Sequence, residues 1–204
     1  MKTIVITGPS GSGKTILTNK LSQLFDDSIV IKTDSYYRDN LLIKFLSLFK
    51  SDIYDRLLSI KINEINNTLR SIHKKERIIS FSHYDFIKKK SYQSDISINY
   101  KGKNQFLILE GIFSHRLDLN YQDTINIFCE EEKEICFIRR LKRDKLERGR
   151  DSTEVTLKFN KSWDLFYQNI RKYLGFNKVI TLSPVDITSY DKLIFNLKKI
   201  KQNN

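Results

Sequence analysis

Hydrophobic residues are spaced along the chain in two rhythms. Short unbroken runs predict buried strands: "TIVIT" (3–7), "SIVIKTD" (28–34), "RIISF" (77–81), "FLILEG" (106–111), "TINIF" (124–128) and "KVITL" (178–182). Between them, apolar positions recur every three or four residues. Ile16, Leu17, Leu21, Leu24 and Phe25 do so in "KTILTNKLSQLF" (14–25), a longer pattern runs from about 52 to 73 after a polar break, and 130–173 is highly charged and helical. Strands alternating with helices predict an α/β fold, a parallel sheet with helices on both faces. "SYQSDISINYKGKN" (91–104) alternates polar with apolar and carries a glycine turn, which predicts a small antiparallel flap over about 88–104. With two prolines, no Ser/Gly-rich linker and no internal repeat, one domain over 1–204 is expected.

A composition of 40% hydrophobic and 29% charged residues excludes a mainly disordered chain. No window approaches the ~18 uncharged apolar residues of a membrane span. The start "MKTIVITG" has no signal-peptide pattern, so no membrane partner and a cytoplasmic location are expected. Cys129 and Cys136 lie seven apart, and His73, His83 and His115 share no metal-ligand spacing with them. Reduced, partly buried thiols and no structural metal follow. The net charge of +12 admits nucleic acid, a polyphosphate ligand or plain compositional bias. Because the lysines are scattered instead of forming a stripe with aromatics, nucleic acid is disfavoured as a partner. A homo-oligomer is left open.

"GPSGSGKT" (8–15) adds chemistry to this frame, since Gly8, Gly13, Lys14 and Thr15 satisfy G-x-x-x-x-G-K-[ST] between a strand and an amphipathic helix. A loop whose N–H groups turn inward on phosphate needs glycine torsions, and the following helix adds its positive end. Lys14 is placed to bridge the β- and γ-phosphates, and Thr15 offers a hydroxyl to Mg²⁺. The candidate nucleotide segment is Gly8, Ser10, Gly11, Ser12, Gly13, Lys14, Thr15 and Ile16. No [NT]-K-x-D guanine motif is present, because "NKLS" and "NKVI" lack the Asp. In "FLILEGIF" a single carboxylate, Glu110, precedes glycine, which suits a metal-bound water more than a motor ATPase. Asp34 ends the second strand in "KTDSYYRD". Ligands collect at the carboxyl ends of parallel strands, so Asp34, Glu110 and the loop are expected to converge. Asp34 is then either the group that takes a proton from an acceptor hydroxyl or a turn-capping residue.

Taken in order, "GPSGSGKT", "TDSYYRD", "SHYDF", "ILEGIF" and "RRLKRDKLERGRD" resemble the uridine kinase family of phosphate-loop kinases, itself similar to phosphoribulokinase and pantothenate kinase. The resemblance implies ATP and Mg²⁺, and phosphoryl transfer to a small-molecule acceptor, uridine or cytidine in that family. It implies that Asp34 is the catalytic base, assisted by Lys14, Arg148 and Arg150. Thr15 and Glu110 would belong to the magnesium shell, and Arg140, Arg143, Arg148 and Arg150 would serve the phosphates from a lid at about 143–152. For the acceptor it implies Asp34, Tyr37, Tyr84, Phe86, Arg140 and Arg150, together with the positions held here by Lys89 and Lys158. The family has His and Gln at those two positions, and no "FDHP"-like segment precedes "SDIYD", where Asp52 or Asp55 substitutes. Two lysines facing the acceptor would favour an anionic one, such as a sugar phosphate or a pantothenate-like molecule. The plainer readings are a solvated arginine helix paired with Glu130–Glu134, and core packing of Trp163, Phe166 and Tyr167 in place of stacking on a base.

Overall fold

The computed structural model describes residues 1–49, 53–102, 104–117, 119, 124–175, 178–183 and 186–202. Five parallel strands form the main sheet: β1 (Lys2–Thr7), β2 (Ile29–Lys32), β5 (Phe106–Glu110), β6 (Thr124–Cys129) and β7 (Val179–Leu182), in the order β2-β5-β1-β6-β7. Two more strands, β3 (Ile78–Asp85) and β4 (Lys90–Ser97), pair antiparallel as a separate hairpin. Alternation along β1 divides the core. Ile4 and Ile6 pack with Leu17 and Leu21 of α1 (Lys14–Leu24) and Leu193 and Leu197 of α6 (Ile187–Gln202). Val5 faces the other way, toward Ile65, Leu69 and Ile72 of α3 (Ile62–His73) and Ile79 and Phe81 of the hairpin. Phe128 gathers Phe166, Ile170 and Tyr173 of α5 (Ser152–Leu174) on that same side. Both faces are therefore covered, as continuous apolar strands require.

Several expectations are corrected or refined. "RIISF" is not a strand of the parallel sheet; it opens β3, which pairs with β4 from Ile78↔Ser97 to Asp85↔Lys90. Only Ile79 and Phe81 of that run are buried while Ile78 stays exposed, the one-sided burial of an antiparallel strand. The hairpin turns at 86–89, where Lys89 has φ 51, and not at Gly102. The helical pattern from 52 starts only at Ile62, after two short 3₁₀ turns at Ile53–Asp55 and Leu57–Ser59. The polar break holds a helix, α2 (Leu41–Phe49), started by the Asn40 side chain accepting from Ile43 N at 3.0 Å. The stretch 130–173 is two helices, α4 (Lys133–Arg148) and α5, parted where Gly149 takes φ 60 and Asp151 caps α5. Cys129 and Cys136 are free thiols, fully instead of partly buried.

His115, on a 3₁₀ turn at Ser114–Arg116 behind the end of β1, is buried with Nδ1 3.0 Å from Thr7 Oγ1 and against the rings of Phe166 and Tyr173. Burial, aided by the charge of Arg116, pushes its imidazole down to about 4. An unfolded chain protonates histidine near ~6.5, so between that pH and 4 the unfolded state binds a proton that the folded state refuses. Stability contributed by the neutral ring is therefore lost as pH falls through this window. From pH 7 to pH 5 we expect His115 to cost about 2 kcal/mol of folding stability, read as a lower urea midpoint. His115→Gln is expected to flatten that slope, and an unchanged slope would refute the assignment.

Candidate active site

The loop between β1 and α1 is pressed against its neighbours. A Cβ on Gly8 would lie 2.5 Å from the Cys129 carbonyl oxygen, and one on Gly11, which has φ +95, would lie 2.3 Å from that of Cys136. The loop thus fills the space between the end of β6 and the start of α4. Lys14 is buried and donates from Nζ to the Pro9 carbonyl at 2.9 Å. From above, α4 reaches down with Arg139 donating to the Gly11 carbonyl (3.2 Å) and Arg143 to Ser10 Oγ (3.1 Å).

The carboxylates stand where β2 and β5 end. Thr15 Oγ1 donates to Glu110 Oε1 at 3.2 Å, and Asp34 Oδ1 accepts from Ile112 N at 3.4 Å. Burial, with help from the Asp34 charge, raises the Glu110 carboxyl above its usual range against the opposing pull of Lys14 and Lys32. A hydroxyl and a buried carboxylate side by side make an oxygen-only donor set, which fits a hard cation such as Mg²⁺ that keeps much of its water.

Beside them an open cleft gathers the predicted acceptor residues. Asp34 and Tyr37 enter it from the turn after β2, Tyr84, Phe86 and Lys89 from the hairpin, and Arg140, Arg143, Arg148, Arg150 and Lys158 from α4, α5 and the link between them. Ser10 of the loop lines it too. Tyr37 anchors an aromatic wall, with ring centroids 5.9 Å from Tyr54, 5.5 Å from Tyr84 and 5.8 Å from Phe86. Arg148 lies 3.9 Å over the Phe86 ring, and burial together with Arg143 pushes its guanidinium down to about 10, still charged at neutral pH. Lys158 donates to Glu154 Oε1 at 2.6 Å. Asp55 lines the cleft 3.9 Å from Arg140 Nη1, whereas Asp52 lies outside the described residues.

Ile16 stands apart from this cleft. Its exposed side chain borders a second groove with Lys20, Arg139, Asp186 and Tyr190, which shares no residue with the first. Phe166 is core, stacked on Phe128, as the core reading has it, whereas Trp163 and Tyr167, packed beside it, are half-buried. The solvated-helix reading of the arginines is corrected: Arg139 alone among them pairs with the acidic run, through Glu131 at 2.9 Å, and the others gather on Asp144. Sequence reasoning missed Asp144, although its place four residues from both Arg140 and Arg148 puts the three on one helix face. It also missed the cysteine backbones under the loop, which leave no side-chain signal.

A parallel sheet, a glycine loop clamped at a helix start and carboxylates at neighbouring strand ends define a phosphate-loop kinase. Residues 3–181 match the phosphoribulokinase / uridine kinase family, and the chain belongs to that family. It is 33% identical over 157 residues to the uridine kinase of Borrelia turicatae (strain 91E135), covering 76% of this chain and 73% of that one. Over 176 residues it is 28% identical to the uridine kinase of Staphylococcus aureus (strain JH9), covering 83% of each. Its fold is similar to that of a possible uridine kinase from Bacillus stearothermophilus (TM-score 0.55, 15% identity, 87% of each chain). It is similar too to deoxyadenosine kinase from M. mycoides (TM-score 0.50, 14% identity, 98% of this chain and 100% of that one).

Gly111 lets the Thr33–Asp34 turn pack directly against the end of β5. With φ +153, a Cβ there would meet Thr33 Oγ1 at 1.9 Å and Asp34 Oδ1 at 2.9 Å. Gly111→Ala must therefore push Asp34 and its turn away from β5. We expect it to cost about 1–3 kcal/mol, lowering the melting temperature by several degrees. A variant that melts like the parent would show that this contact does not fix the Asp34 turn.

Proposed function

We propose that the protein transfers the γ-phosphoryl group of ATP to a hydroxyl of a pyrimidine nucleoside, uridine or cytidine. The observation that carries this reading is Asp34, which shares one cleft with an aromatic wall and with arginines that reach the phosphate loop. In this reading the loop N–H groups and Lys14 hold the phosphates, and Arg148 and Arg150 offset charge as the phosphoryl group moves. Asp34 takes the proton of the acceptor hydroxyl while its oxygen bonds to phosphorus, and the bond to the β–γ bridging oxygen breaks to release ADP. Thr15 and Glu110 would hold Mg²⁺, which supplies charge neutralisation at the β- and γ-oxygens. The relatives named as uridine kinases support the nucleoside as acceptor. Residues 143–152 are proposed to close over ATP. No helix among the described residues is long and apolar enough to cross a membrane. Free buried thiols are in keeping with a reducing, cytoplasmic setting.

One observation favours a second reading, an anionic acceptor: Lys89 and Lys158 both line the cleft where the family has His and Gln. The ion pair with Glu154 weighs against it, because it already occupies the Lys158 ammonium. A panel of nucleosides, sugar phosphates and pantothenate-like carboxylates, scored by ATP consumption, separates the two. Phosphorylation of uridine or cytidine above all others is expected, and turnover confined to anionic acceptors would overturn the nucleoside reading.

Lys14 and Asp34 act on opposite sides of the transferred group in this mechanism. Lys14→Ala is expected to weaken ATP binding, whereas Asp34→Asn leaves binding largely intact and lowers the single-turnover rate by ~10²- to 10⁴-fold. A smaller fall, or equal loss of ATP affinity in both variants, would remove Asp34 from the role of base.

A further inference from the structure

Asp144 lies in the last turns of α4 with no exposed surface, and the transfer chemistry above does not use it. Its Oδ1 accepts from Arg143 Nε (3.1 Å) and Nη2 (2.9 Å), and its Oδ2 accepts from Arg150 Nη1 (2.9 Å). Arg148 Nη1 stands 3.4 Å from Oδ1 and Arg140 Nε 3.7 Å from Oδ2. Its main-chain carbonyl accepts as well, from the N–H groups of Gly149 and Arg150.

A carboxylate offers about four acceptor sites, so Asp144 is close to saturated and the remaining guanidinium donors turn elsewhere. Arg143 reaches Ser10 Oγ in the phosphate loop at 3.1 Å. Arg148 lies over Phe86 in the acceptor cleft, and Arg140 donates to Ser162 Oγ at 2.6 Å beside Asp55. The arginines therefore fan out from one anion, with an arm at each substrate side. Burial alone would raise the Asp144 carboxyl, but Arg148, Arg143, Arg150 and Arg140 together outweigh it and hold it below its usual range. It stays ionised at neutral pH, as a counter-ion must.

We propose that Asp144 is a positioning residue, the buried counter-ion that holds Arg143 against the phosphate loop while it holds Arg148 and Arg150 in the acceptor cleft. This rests on the kinase reading above and adds a group that lines neither groove but sets the geometry of the groups that do. Like charges packed this closely repel each other, so a fixed anion among them decides where each guanidinium points.

Asp144→Asn keeps the shape and one acceptor oxygen but removes the charge. By titration calorimetry it is expected to bind a non-hydrolysable ATP analogue at least tenfold more weakly than wild type. In an Arg143→Gln background the same change is expected to cost less than threefold, because Asp144 then has lost the arm through which it acts. Melting curves of each variant separate loss of fold from loss of position. A folded Asp144→Asn chain with wild-type affinity overturns the proposal, and so does an equal loss in both backgrounds. Where Asp144→Asn does not fold, Asp144→Glu restores the charge one methylene further out. It is expected to fold and to lose affinity in the same background-dependent way, and wild-type affinity there, or failure to fold, overturns the positioning role. A wild-type chain that binds no analogue overturns the kinase reading itself and takes the proposal with it.

Discussion

The phosphate loop sits in hard contact with the backbone of Cys129 and Cys136, and the layout of the site follows from that contact. Neither Gly8 nor Gly11 leaves room for a side-chain carbon against those carbonyls. The strand order places β6 beside β1, and three residues lead from Cys129 to the start of α4, so the chain that passes the loop at the end of β6 returns over it at Cys136. From Cys136 the helix repeat does the rest. Arg139, Arg140, Arg143 and Asp144 lie three, four, seven and eight residues on, which is one helix face. Cys136, Arg140 and Asp144 form its buried stripe, while Arg139 and Arg143 flank it and donate to the loop.

Two buried carboxylates in this site are pushed in opposite directions, and the difference lies in their company. Glu110 has lysines near it but also Asp34, and burial wins, so its carboxyl is held above the usual range. Asp144 is surrounded by fixed guanidiniums that outweigh burial, so its charge is matched within the chain. At the first, burial outweighs the neighbouring positive charges; at the second, the positive charges outweigh burial. Both sit within reach of the same loop through one intermediary, Thr15 for Glu110 and Arg143 for Asp144.

How much of this the sequence disclosed depends on how local each feature is. The loop, Asp34 and Glu110 were legible because a strand, a glycine turn and a helix start follow one another in the chain, and strand ends collect ligands. The pairing of β3 with β4 was not, because adjacent Ile78 and Ile79 look like a continuous buried run until tertiary packing covers one of them and leaves the other exposed. α2 was hidden for a related reason: "LLIKFLSLF" is apolar nearly all round, so no face stands out, and Leu41, Leu42, Phe45 and Phe49 are exposed in the fold. Asp144 was visible as a letter inside an arginine-rich motif. Its burial, which gives it meaning, comes from the arginines gathered on it and from α5 packing along α4.

The aromatic wall of the cleft shows how a three-residue segment divides its labour. In "YDF", Tyr84 and Phe86 turn to the cleft, with ring centroids 5.1 Å apart. Asp85 does not line it; its Oδ1 accepts from the N–H groups of Ile87 and Lys88, each at 2.9 Å, and so shapes the hairpin turn. Those backbone hydrogen bonds hold the Asp85 carboxyl below its usual range. The turn they fix ends at Lys89 in the left-handed region, and that torsion carries the Lys89 side chain to the cleft wall. The charge at this wall is thus directed by a backbone turn that an aspartate four residues earlier helps to fix. Lys158, on the opposite element, is directed by its ion pair with Glu154 one helical turn away. The two lysines that line this cleft are therefore held by unrelated means.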